Sequence, residues 1–121
     1  MHATVPVVPD FEPGQIVTVF RSRLTQEHEP RYREEAAAMA RLAAGMPGLV
    51  EFKSFTADDG ERVTLVTFRD EDSQAAWRNH PEHRRAQRRG RSDYYAEFSL
   101  QVCRTLRVAR HPSAAGPTPA G

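Results

Sequence analysis

The sequence lacks the features of several protein classes. It has one cysteine, Cys103, so it can form no internal disulfide and no cysteine-based metal site. Its first residues, "MHATVPVVPD", have neither the basic region nor the apolar run of a signal peptide, and no window approaches a membrane span. The net charge of +1 creates no overall field that favours a particular partner. We therefore expect a cytoplasmic protein with no membrane partner.

The two ends also lack periodic apolar residues. Residues 1–14 are rich in proline, and residues 110–121 are mostly proline, alanine and glycine. Such segments bury too little apolar surface to offset the entropy lost on ordering. We expect a flexible N-terminal tail over 1–14, a single folded domain over 15–109 and a disordered C-terminal tail over 110–121.

The remaining residues alternate between strand and helix patterns. Apolar alternation and β-branched residues predict strands over 15–24, 49–56, 62–68 and 95–108. An apolar stripe at helical spacing predicts a helix over 31–44. A second helix begins with Asp70 or Asp72 as its cap and breaks at Pro81. A fresh helix then runs to about Arg89, where Gly90 ends it.

This order, β-α-β-β-α-β, is that of the α+β ferredoxin-like fold, an antiparallel four-stranded sheet with both helices on one face. The strands carry apolar residues on both faces, so we expect the bare face to meet a second copy in a homodimer. The last predicted strand would be roughly 46 Å long at about 3.3 Å per residue. Its far half, Val102 to Val108, is therefore predicted to reach onto the partner.

The segment "WRNHPEHRRAQRRGRSDYY", from Trp77 to Tyr95, concentrates the chemically interesting residues. His80 and His83 are three residues apart, but Pro81 lies between them and further convergent ligands are missing, so we expect no metal site. A run of arginines precedes two tyrosines and suggests nucleic-acid binding: Arg84, Arg85, Arg88, Arg89 and Arg91. A solvated helix whose arginines pair with nearby glutamates is the simpler interpretation, and no nucleic-acid partner is expected.

At this point the chain resembles the antibiotic biosynthesis monooxygenase family of dimeric α/β barrels. The resemblance rests on "IVTVFRSRL" in the first strand and "MPGLVEF" after the first helix. It rests further on "LVTFRDEDSQAAWRNHPEH" and on the "GR..YY" segment before the last strand. The resemblance implies a cavity between the sheet and its helices. It also implies oxidation of an electron-rich aromatic (a quinol, an anthrone or a polyketide-like compound) by O2 with no cofactor.

The family also contains haem-degrading enzymes. These carry a helix tryptophan and, ten residues later, the histidine that ligates iron. Trp77 matches the tryptophan, but Gln87 stands at the histidine position, and residues 16–24 lack the asparagine that those enzymes place on the first strand. We therefore expect no haem degradation, with His83 as the alternative ligand if haem binds.

The implied reaction assigns roles to individual residues. A histidine near neutral pKa suits the catalytic base, with His80 first and His83 second. Asn79 or Tyr95 is the candidate donor to a developing oxyanion. Trp77 would stack on the substrate ring.

Other residues would form the walls of the cavity. Tyr94 and Tyr95 lie at the entry to the last strand, and Tyr32 would close the opposite side. Arg21 or Arg23 would balance a phenolate if their strand face lines the cavity.

Structural roles remain open for several of these residues. Trp77 and Tyr32 are equally suited to the core, and His80 to a helix cap because it precedes Pro81. Cys103 is expected to be a small buried residue. A non-catalytic small-molecule-binding barrel or accessory protein, and a polyketide cyclase or isomerase, are the alternative functions.

Overall fold

The computed structural model describes residues 9–25 and 29–111. The outer parts of the two predicted tails, 1–8 and 112–121, lie outside the described residues, and the domain bounds stay predictions. The inner parts contact each other through an ion pair between Asp10 and Arg110. The N-terminal one also contacts the predicted domain, since the Gly14 amide donates to the Thr105 carbonyl at 2.8 Å. Within the described ranges, no helix has the length and apolarity needed to cross a membrane.

The fold is the predicted ferredoxin-like arrangement, an antiparallel sheet with strand order β2-β3-β1-β4. The elements are β1 (Ile16–Leu24), α1 (Glu29–Ala44), β2 (Leu49–Thr56), β3 (Arg62–Phe68), α2 (Glu71–Arg78), α3 (Pro81–Arg89), a π-helical turn (Gly90–Tyr94) and β4 (Tyr95–Arg104). The π-helical turn is the one segment among these that the sequence pattern did not predict.

Local signals explain where α2 begins. Asp70 is the N-cap, and its carboxylate accepts a hydrogen bond from the Ser73 amide at 2.8 Å. Gly48 in the preceding turn has φ of +83°, and a Cβ there would lie 2.3 Å from Ser73 Oγ. The turn after α1 therefore packs closely against the start of α2, which only glycine permits at this position.

The core lies under the helices on one face of the sheet. Ala43 and Phe68 are fully buried, and Val66 and Trp77 are nearly so. Residues packed around this cluster are Met39, Leu42, Met46, Leu49 and Phe52. These side chains come from α1 and the turn after it, α2, β2 and β3, so the core covers the β2–β3 half of the sheet.

β4 is shorter than predicted. It ends at Arg104 and pairs with β1 along its whole length, from Leu24↔Tyr95 to Ile16↔Arg104. Val102 pairs with Thr18 of its own chain along one edge of β4, and the other edge of β4 has no strand beside it in this sheet. β1 begins at Ile16, so the alternating residues after Thr105 have no strand of the same chain beside them, and their contact with a partner stays a prediction.

The face of the sheet opposite the helices has an apolar centre: Val17, Val19, Val63, Leu65 and Phe55. Ion pairs surround this centre. Arg21 pairs with Glu61 at 2.7 Å, and Arg23 pairs with Asp59 at 2.8 Å. We call this surface the open face.

Candidate functional site

The helix-facing side of β4 is an exposed apolar strip. Phe98, Leu100 and Val102 are 43%, 48% and 47% exposed. Pairing with Ser22, Phe20 and Thr18 of β1 fixes them on the same side as the helices. The strip is about 13 Å long, since it spans four residue steps on a strand that rises roughly 3.3 Å per residue. We call these three residues the β4 strip.

A cleft of about 430 Å³ lies between α2 and the end of this strip. We call it the α2–β4 cleft; it is lined by Ile16, Glu71, Asp72, Gln74, Ala75, Arg78, Val102, Cys103 and Arg104. Its size falls within the usual range of small-molecule sites. Ile16, Ala75 and Val102 supply the apolar lining, and an ion pair between Arg104 and Glu71 at 2.7 Å lies at the rim.

Gln74 is a buried polar residue of this cleft that sequence reasoning missed. It is only 6% exposed, and its Oε1 accepts a hydrogen bond from Arg78 Nη1 at 3.2 Å. The available signal was its spacing: Gln74 precedes Trp77 by three residues, which places both on the buried face of α2.

Three tyrosines meet where the π-helical turn enters β4. The Tyr32 ring lies 5.6 Å from Tyr94 and 5.8 Å from Tyr95, and the Phe20 ring lies 5.1 Å from Tyr95. A Cβ at Gly90 would be 2.4 Å from the Tyr95 ring, so glycine makes room for it. Burial, followed by the neighbouring Tyr32 and a side-chain hydrogen bond with it, raises the pKa of Tyr95 well above its ordinary value. The Tyr95 hydroxyl therefore stays protonated and is hydrogen-bonded with Tyr32.

Trp77 and His83 form a stacked pair. Their rings are 4.1 Å apart and inclined by 18°, while the Trp77 ring also packs on Phe52 and Phe68. His83 Nδ1 lies 3.1 Å from the Trp77 carbonyl oxygen, which can only accept, so Nδ1 carries the proton. Burial lowers the pKa of His83, with a smaller effect of the neighbouring His80 in the same direction. The ring is therefore neutral near pH 7, with its lone pair on Nε2.

His80 has the opposite tautomer. It is the N-cap of α3, and its Nδ1 accepts a hydrogen bond from the Glu82 amide at 3.1 Å. The neutral ring therefore carries its proton on Nε2 and accepts a proton only by releasing the cap. Asn79 is the C-cap of α2 and is exposed at the same break between helices.

Arg23 is not brought to this site. It lies on the open face, where it pairs with Asp59 and with Glu97 at 3.3 Å, whereas the α2–β4 cleft lies on the helix-facing side. Arg21 shares the face of Arg23, so the position of neither supports contact with a ligand in the cleft. Cys103 is exposed, and the expectation that it is buried was wrong, because the open face has no cover at that position.

The sequence profile of the antibiotic biosynthesis monooxygenase family matches residues 15–89. The chain belongs to this family. Protein YqjZ of Bacillus subtilis (strain 168) is 32% identical over 96 residues, which are 79% of this chain and 83% of that protein.

Solved structures share the fold of this family member. SnoaB, a cofactor-independent oxygenase from Streptomyces nogalater solved in a mutant form, is similar with a TM-score of 0.68 at 16% identity, over 79% of this chain and 96% of its own. Rv0793 from Mycobacterium tuberculosis is similar with a TM-score of 0.71 at 15% identity, over 79% and 99%. At these identities the likeness concerns the fold alone.

Two further predictions for this family member concern metals and nucleic acid. Among residues 9–25 and 29–111, no group of three or more histidine, cysteine or acidic side chains is placed to hold a metal ion. In the arginine run, Arg89 pairs with Glu35, and Arg85 pairs with Glu82 at 2.6 Å. These two ion pairs are those expected of a solvated helix.

Proposed function

We propose that this member of the antibiotic biosynthesis monooxygenase family is a cofactor-independent monooxygenase of a small electron-rich aromatic, such as a quinol, an anthrone or a polyketide-like phenol. The α2–β4 cleft is the observation that carries the proposal. It combines apolar side chains that suit a flat ring, Ile16, Ala75 and Val102, with the buried amide of Gln74.

In this reaction the protein contributes mainly substrate positioning and proton transfer. A deprotonated aromatic passes an electron to O2, and the two then combine. For an anthrone, the methylene carbon loses two hydrogens and gains one oxygen atom, while the second oxygen atom leaves as water. The protein has to hold the ring, take the first proton and stabilise the resulting oxyanion.

His83 is the base that the tautomers favour. Its Nδ1 faces the Trp77 carbonyl, and burial keeps the ring neutral, so Nε2 carries the lone pair that would take the proton. In this proposal Trp77 positions the His83 ring by stacking at 4.1 Å, and Tyr95, hydrogen-bonded with Tyr32, packs at the far end of the β4 strip. The Tyr95 ring lies 5.9 Å from Phe98, the first residue of that strip.

Oxygen consumption with a panel of anthrones and hydroquinones tests the proposal. We expect uptake of O2 with one 18O atom in the product when 18O2 is supplied, and no effect of a metal chelator. Ala75→Leu fills the cleft and should abolish uptake, whereas Ala76→Leu places the same side chain on the exposed face of α2 and should not. Equal activity of the two variants would remove the cleft from the reaction.

The openness of the cleft favours a second candidate, a non-catalytic barrel that binds a small molecule. Oxygenation benefits from excluding water, whereas the β4 strip remains almost half exposed. Binding of an anthrone without O2 uptake would support this candidate or an accessory role. Conversion of a polyketide without O2 uptake would instead indicate a cyclase or isomerase.

A homodimer is part of the proposal. The apolar centre of the open face includes Leu65 and the exposed Phe55, and a second copy placed there would remove both from water. Light scattering at micromolar concentration should give the dimer mass. Leu65→Arg should yield monomer, while Leu100→Arg, on the helix-facing side, should not. A monomer mass for the unmodified protein would contradict the proposal.

A further inference from the structure

The side-chain amide of Gln74 is an oriented hydrogen-bond donor in the wall of the α2–β4 cleft. Its Oε1 is occupied by Arg78 at 3.2 Å, which fixes the orientation of the amide. In the part of the chain that the structure describes, no acceptor contacts Gln74 Nε2. Among these residues Nε2 is also not a sealed, unpartnered atom. Because Gln74 lines the cleft, a ligand there can reach this donor.

The surroundings of this donor define what it can bind. Its neighbours in the cleft include Ile16, Ala75 and Val102, which offer no side-chain acceptor. Because Nε2 is accessible, a ligand oxygen that enters between these apolar side chains replaces a water hydrogen bond with one made in less polar surroundings, where it is stronger.

The positive charge of Arg78, next to the Gln74 amide, favours an anionic oxygen on the ligand. The Arg78 guanidinium donates to Oε1, which polarises the amide and strengthens Nε2 as a donor. The other charged groups of the cleft are Glu71, Asp72 and Arg104, all exposed, and the first and last of these pair with each other. Arg78 is exposed like these groups, so the wall of the cleft presents a buried amide next to an exposed arginine.

We propose that Gln74 Nε2 donates a hydrogen bond to the phenolate or enolate oxygen of the bound aromatic, with Arg78 as the positioning residue. This assignment rests on the proposed function and names the oxyanion donor of that reaction. It predicts a substrate whose oxygen is at one edge of a flat ring system, because the donor lies at one wall of the cleft.

A stable phenol tests the assignment without turnover. 2-Hydroxyanthraquinone is not oxidised by O2, and its phenolate is coloured, so its phenol pKa can be titrated by absorbance while it is bound. We expect binding to lower that pKa by about one unit. Gln74→Met, of similar size, should remove the shift, and Gln87→Met, the same change on α3, should keep it. Arg78→Met should reduce the shift.

The remaining outcomes separate the two proposals. A pKa shift that depends on Gln74, with no O2 uptake from any anthrone, would support Gln74 as the donor and contradict the monooxygenase proposal. If Gln74 is the donor, Gln74→Met should lower kcat roughly a hundredfold. O2 uptake that Gln74→Met leaves unchanged would therefore support the monooxygenase and contradict the donor. No binding to the unmodified protein, or an unchanged shift in Gln74→Met, would overturn the donor.

A further variant guards against a folding defect in Gln74→Met. Gln74→Glu keeps an acceptor for Arg78, but it replaces the donor with a negative charge. It should therefore raise the pKa of the bound phenol above that of the free ligand, with circular dichroism melting to verify the fold. A lowered phenol pKa in this folded variant would also overturn the donor.

Discussion

The helix-facing side of the sheet has two halves that differ in how completely they are shielded from solvent. Phe68 on β3 is 0% exposed, whereas Phe98 on β4 is 43% exposed on the same side. The packed core lies over β2 and β3, and Ile16 of β1 is buried as well, whereas the helix-facing apolar residues of β4 keep a partly open surface. We infer that packing in the β2–β3 half stabilises the fold, whereas the exposed strip on β4 is able to contact a ligand.

The largest expected effect compares the same substitution in the two halves. Phe68→Ala should lower the free energy of unfolding by about 3–5 kcal/mol, because it leaves a cavity in a packed core. Phe98→Ala should lower it by less than about 1 kcal/mol, because the side chain is half exposed already. Urea unfolding of both variants measures the difference. Similar losses would show that the β4 strip is covered in solution.

The sequence predicted the parts of the fold that local signals control. The bounds of β2 and β3 follow from alternation around an Asp-Gly turn, and the break between α2 and α3 follows from Pro81. Alternation also tells which residues of a strand share a face. It does not tell where the helices lie across the sheet, so the cover of one half and the exposure of the other could not be predicted.

The arrangement of the candidate site residues could not be read from the sequence. Tyr32 was predicted on the side opposite Tyr94 and Tyr95, whereas the structure brings the three rings together, and it also stacks Trp77 on His83. The order of the two histidines as candidate bases depended on information that the sequence does not carry. Their tautomers are set by backbone atoms, the Glu82 amide and the Trp77 carbonyl, and these positions appear only when the helices are built.

The next effect concerns His83, which lies beside the packed half. His83→Gln should lower kcat by roughly 10²–10⁴-fold if the ring is the base. Because burial lowers the pKa of His83 from 6.5, the rate should stay constant from neutral pH to below 6.5 and fall only as the ring gains a proton. A pH–rate profile measures this. A fall that begins above pH 6.5 would assign the base to another group.

The same shift in pKa affects stability, in a direction that can be checked without a substrate. The unfolded chain binds the His83 proton near pH 6.5, whereas the folded chain binds it only at lower pH. The stabilisation from His83 is therefore complete above 6.5 and is lost as the pH falls through the lower, folded value. His83→Gln should unfold with a weaker pH dependence than the unmodified protein between pH 7 and about 5.

The smallest effect separates the two roles of His80. His80→Ala removes the cap of α3 and should lower stability by about 1 kcal/mol. His80→Asn supplies a side-chain oxygen that caps at least as well but has no imidazole. It should therefore retain both stability and kcat if His80 is only a cap. A hundredfold loss of kcat in a stable His80→Asn would instead make His80 the base, with the cap released during turnover. That result would move the reacting proton from the stacked pair beside the core to the exposed break between α2 and α3.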